Sequence, residues 1–160
     1  MRFLALTVAL AGLLSSAPLA AQVNEKFADH AGEIELLRSM AQTERQAVVA
    51  GNLTLTAEEG QRFWPLYNEY RSDVSAVQNK RVKVITDYAA KYETLTDGDA
   101  RKLLDEYLGY QTATLKLRER YVGKFSKVLP GTKLARFFQI ENKLDALTDL
   151  TIASNIPLTK

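Results

Sequence analysis

Apolar positions along this chain fall into long stripes at alternating steps of three and four residues, the spacing of amphipathic helices packed nearly parallel to their neighbours. The longest stripe is Phe63, Tyr67, Tyr70, Val74, Val77, Val84 or Ile85, Tyr88 and Tyr92. Thr56 precedes it as a cap, with Glu59 three residues on to complete a capping box, so a helix is predicted over residues 57–92. Pro65 lies inside it and favours a kink. Arg81 stands where the stripe expects an apolar side chain. A second helix is predicted over 97–128, capped by Thr96, with Asp99 placed where a carboxylate answers the helix dipole. It carries one row of Leu103, Tyr107, Tyr110, Leu117 and Tyr121. A second row comprises Leu104, Leu108, Leu115, Val122, Phe125 and Leu129, so its apolar face is wide enough for two neighbours. The Leu129-Pro130-Gly131-Thr132 break leads to a helix over 133–153 that buries Leu134, Phe137, Ile140, Leu144 and Leu147. Before the long pair, Phe27, Ile34, Leu37, Ala41 and Val48 mark a helix over 25–50, stopped by Gly51-Asn52.

These four elements predict an all-α domain over 22–160. Its spine is a long antiparallel hairpin of helices, each over thirty residues and about 50 Å long, with the other two packed along or across it. Short connections require the antiparallel arrangement. Tyrosine is frequent on both long helices, and a ring with a polar tip suits half-buried faces, which favours an elongated form, a dimeric cradle being one version, over a compact bundle. Residues 1–21 read differently. Arg2, the apolar run Phe3–Leu14 and the small residues up to Ala21 have the order of a secretory signal peptide, too short in its apolar part to span a bilayer. The expected location is the periplasm, with no membrane-spanning segment after cleavage.

Composition narrows the chemistry. The chain has no cysteine and one histidine, His30, so thiol chemistry is excluded and convergent metal ligation has little to draw on. Glu33 with Glu35, and Asp97 with Asp99, lack the loop signature of a calcium site. No nucleophile elbow, phosphate loop or dinucleotide fingerprint occurs, so the expectation is a non-enzyme without cofactors. The net charge of +2 nearly vanishes once Arg2 is removed, which argues against nucleic acid as a partner. Basic residues still cluster at Lys80, Arg81 and Lys83, and at Lys116, Arg118, Arg120, Lys124 and Lys127. Folding the hairpin about Thr96 brings Arg118 and Arg120 level with Glu69 and Asp73, where ion pairs would absorb part of this charge. The sharper expectation is a basic and aromatic protein-binding face of Tyr70, Arg81, Tyr88, Tyr110, Arg118 and Tyr121. Thr56, Glu59, Phe63, Trp64, Pro65 and Tyr67 are read as a structural elbow between the first helix and the hairpin.

The leader, the Leu55-Thr56-Ala57-Glu58-Glu59 start, the FWPLYNEY block from Phe63 to Tyr70, the long charged hairpin and the Phe125–Pro130 break together resemble the Spy/CpxP superfamily of periplasmic helical proteins with LTxxQ repeats. The resemblance runs from Thr54 to about Leu147. It implies a thin, curved α-helical dimer whose concave face holds non-native proteins without ATP, or an envelope-stress role. The alternative is a structural or signalling partner that docks one defined envelope protein. The chain departs from the family pattern at Glu59, where glutamine is usual, and at Leu129-Pro130, where the second Leu-Thr pair is lost. It also lacks the histidines and cysteines of zinc-binding members, so that label does not carry over.

Overall fold

The computed structural model describes residues 43–159. The leader, His30, Glu33, Glu35 and most of the first predicted helix lie outside the described residues. What remains is helical, with no strand among the described residues. The visible part of the first helix is residues 43–52 (α1). It is followed by α2 (Ala57–Lys91), a 3-10 turn (Tyr92–Thr94), α3 (Asp97–Phe125) and α4 (Gly131–Ala153).

Both long helices start where their caps dictate. The Thr56 hydroxyl accepts from the Glu59 amide at 3.2 Å, and the Glu59 carboxylate accepts from the Thr56 amide at 2.7 Å. Thr96 and Asp99 repeat this capping box at the head of α3. Pro65 does not interrupt α2; Gln61, whose carbonyl loses its usual donor, is exposed, so water can serve it. Several ends differ from expectation: α1 continues through Gly51 and Asn52 instead of stopping at residue 50, and α2 closes at Lys91, one residue early. Helix α3 stops at Phe125 rather than Val128, because Lys127 and Val128 donate three residues back and tighten the chain into a turn. Helix α4 starts at Gly131 rather than Lys133, because Pro130, with φ pre-set at −60°, serves as its cap and accepts from the Leu134 amide at 2.9 Å.

Asp99 also pairs with Lys91, and the Lys91 ammonium and then the Thr96 hydroxyl hold its carboxyl at about 2, below the ordinary 3.8. A depressed folded-state value means that this carboxylate stabilises the fold above the ordinary range and stops doing so as pH falls towards 2. Asp99→Asn should therefore lower the melting temperature at neutral pH, and the gap to wild type should close near pH 2 in circular dichroism melts.

The core lies at the open end of the α2–α3 hairpin. Phe63, Tyr67 and Tyr70 of α2 meet Leu117, Tyr121 and Phe125 of α3, Phe137 of α4, and Val49 and Leu53 from the α1 end. Phe137 is its centre, with ring centroids 4.7 Å from Phe125, 4.9 Å from Phe138 and 5.2 Å from Phe63. Between Tyr70 and Tyr110 no described residue is fully buried, so the hairpin tip is a thin helix pair. Three expectations about faces are corrected. Val49, not Val48, is the buried α1 residue, one position round the helix. Leu147, expected inside, is 64% exposed, because α4 has passed the core by that point. Leu104, Leu108, Leu115 and Val122 are also exposed, because α4 covers only the Phe125 and Leu129 end of their row.

Candidate protein-binding surface

Three carboxylates at four-residue spacing, Glu141, Asp145 and Asp149, form one ladder on α4. Each takes an arginine from another helix. Glu141 Oε2 accepts from Arg45 of α1 at 2.9 Å and from Arg71 of α2 at 3.0 Å. Asp145 accepts from Arg45 at 2.8 Å and from Arg118 of α3 at 2.5 Å. Asp149 accepts from Arg81 of α2 at 2.5 Å. Helix α4 is thereby tied to all three other helices. Glu141 is 1% exposed, and burial pushes its carboxyl above the ordinary range while the Arg71 and Arg45 guanidinia pull it down. The neighbouring Tyr67 hydroxyl is pushed up to about 12, chiefly by burial, with Glu141 adding to the shift.

This ladder takes up the two arginines of the expected basic and aromatic face, and burial takes up most of its tyrosines. Tyr70 and Tyr121 are core residues, Tyr110 is buried, and Arg81 and Arg118 are spent on Asp149 and Asp145. Tyr88 is half-buried, with its hydroxyl donating to the Pro157 carbonyl at 2.9 Å. Tyr121 and Tyr110 can be buried because their polar tips are served. The Tyr121 hydroxyl lies 2.8 Å from Asp73 and 3.1 Å from Glu69, and that of Tyr110 lies 3.3 Å from Gln78. Of the expected cross-hairpin pairs, Arg120–Asp73 forms at 2.6 Å, whereas Arg118 turns to α4 and Glu69 is taken instead by Lys124, also at 2.6 Å. Tyr70, Arg81 and Arg118 therefore mark the seam between hairpin and α4, Tyr110 and Tyr121 face α2 within the hairpin, and Tyr88 meets the chain after α4. The residues expected at the elbow lie at the head of α2 and its cap. Phe63 and Tyr67 are buried, Trp64 packs edge-on to both at 5.0 and 5.5 Å, and Lys133 pairs with Glu59 at 2.6 Å.

What stays open is the outer row of α3: Leu104, Leu108, Leu115 and Val122. Leu108, Leu115 and Val122 repeat every seven residues, the spacing of a seam that a facing chain can follow. Charged side chains flank it at Lys102, Asp105, Lys116 and Glu119, all exposed. A separate groove of about 560 Å³ runs between α2 and α4, with Val74, Val82, Leu144, Leu147 and Ile152 on its walls. Among the described residues no three histidines, cysteines or carboxylates could hold a metal ion, and no helix is long and apolar enough to cross a membrane. Comparison with protein-family models, curated proteins and solved structures finds no match.

Proposed function

We propose that this chain is a non-catalytic periplasmic protein-binding protein, acting on non-native polypeptides without ATP, with the outer row of α3 as its contact surface. The observation that carries the reading is that row: four large apolar side chains left exposed in register on one rigid helix, Leu115 by 59%. Single exposed leucines are ordinary on any surface, but an aligned series rimmed by charge suits an apolar segment of another protein. The leader and the Spy/CpxP resemblance support the compartment and the chaperone or envelope-stress class. The seven-residue repeat favours a second reading, a structural or signalling role in which one defined envelope protein docks a helix on α3. Suppression of aggregation of an unfolded model protein at near-stoichiometric ratio is the expected result for the first reading. A folded chain that gives no protection would remove it, and recovery of one stoichiometric partner from envelope extract would establish the second.

A further inference from the structure

Three polar atoms at the junction of α2 and α4 have no hydrogen-bond partner among the described residues: the Tyr67 hydroxyl, Arg71 Nε and Glu141 Oε1. All three are buried, and Tyr67 and Glu141 are each 1% exposed. The packing places them together. Tyr67 and Arg71 stand one turn apart on α2, as Phe137 and Glu141 do on α4. The Tyr67 ring lies 6.0 Å from that of Phe137, and Arg71 pairs with Glu141 through a terminal nitrogen at 3.0 Å, so the two faces meet in register. Burial acts most on the Tyr67 hydroxyl, and after it Glu141, which raises its value, and Arg71, which lowers it. A hydroxyl donor and a carboxylate acceptor that share a junction without bonding each other call for a bridge.

The chemistry of the three atoms selects that bridge. Tyr67 and Arg71 each offer a hydrogen, which a metal cation cannot accept, and the Arg45 and Arg71 guanidinia beside Glu141 add positive charge against one. An anion would suit the two donors but would face the Glu141 carboxylate. A neutral group that accepts twice and donates once serves all three, and enclosure by side chains this buried restricts it to one small molecule. We infer that a single internal water bridges Tyr67, Arg71 and Glu141, accepting from the hydroxyl and from Nε and donating to Oε1. About three hydrogen bonds to otherwise unserved groups are the usual setting of a buried water. The bridge ties the aromatic core to the carboxylate ladder and gives Tyr67 a use that phenylalanine lacks. It does not depend on the role of α3.

Oxygen-17 magnetic relaxation dispersion of the solvent counts waters that stay long inside a protein. In the full chain, Tyr67→Phe with Arg71→Met and Glu141→Leu removes all three polar atoms and leaves apolar surroundings, which stay dry. The dispersion amplitude should fall below wild type by the equivalent of about one water, with circular dichroism confirming that the helices persist. An amplitude equal to wild type would overturn the inference. Tyr67→Phe alone supplies a second measurement, because it removes only the hydroxyl. A water-bound hydroxyl predicts an unfolding constant about five-fold larger in urea titrations. An unserved hydroxyl predicts no change or a more stable protein, since a buried unpaired donor is gone, and that result would also overturn the inference. Should the triple variant fail to fold, the single one decides. Lost stability in Tyr67→Phe beside an undiminished dispersion in the folded triple variant would reveal a direct side-chain bond in place of the water.

Discussion

Phe137→Ala should destabilise the protein by about 3–5 kcal/mol, enough to unfold a large part of the population of a marginal domain. Phe137 is fully buried and brings α4 against both hairpin helices, meeting Phe63, Tyr67 and Tyr70 of α2 and Phe125 of α3. Removing it leaves a cavity lined by rings held from three helices, so the surroundings cannot collapse onto the gap without moving an entire helix. Urea unfolding followed at 222 nm would measure the loss. The same truncation at Leu150, which is exposed on α4, should change stability by less than about 0.5 kcal/mol. Similar losses at the two positions would show that α4 is not anchored through Phe137.

Glu141→Ala is expected to cost about 3–5 kcal/mol for a different reason. It removes the carboxylate that Arg71 and Arg45 share and leaves a guanidinium largely buried without its partner; the Arg71 side chain is 14% exposed. A buried ion pair of this kind need not stabilise the fold outright, since desolvating both charges opposes their attraction, yet breaking one side is severe. Combining Glu141→Leu with Arg71→Met should therefore recover most of the loss in the same unfolding experiment. If the double variant were as unstable as Glu141→Ala, the loss would reflect lost packing rather than an orphaned charge.

Much of the architecture is legible in the residues because it is locally encoded. Thr56 with Glu59 and Thr96 with Asp99 announce two helix starts within four residues each, and the structure uses both capping boxes. Phe63 and Tyr67 read directly as a structural joint, whereas Tyr70, the next step of the same stripe, reads as a binding-face residue and is buried in the core. The opposite holds where three helices meet. Periodicity shows that α3 has two apolar rows but not that α4 crosses over only one end of the second, since that depends on the direction taken after Pro130. The tyrosines mislead for a related reason: a phenol suits a wet interface until a carboxylate on another helix serves it, as Asp73 and Glu69 serve Tyr121. A clue to the carboxylate ladder is present in Arg81, a charge in an apolar stripe, which requires a partner from another helix. The complementary signal is the spacing of Glu141, Asp145 and Asp149, but solvated helix faces carry the same pattern, so spacing alone does not reveal a buried end.

On the proposed function, binding resides on the outer row of α3 rather than on the tyrosine and arginine seam. The most direct measurement is equilibrium binding of a fluorescently labelled unfolded protein to the wild-type chain and to Leu108→Glu with Leu115→Glu. Both leucines are exposed, so the fold and its melting temperature should survive the change. Affinity should fall at least about ten-fold, the equivalent of 1.4 kcal/mol, as two apolar contacts become charges. Unchanged affinity in a variant that melts like wild type would contradict the account.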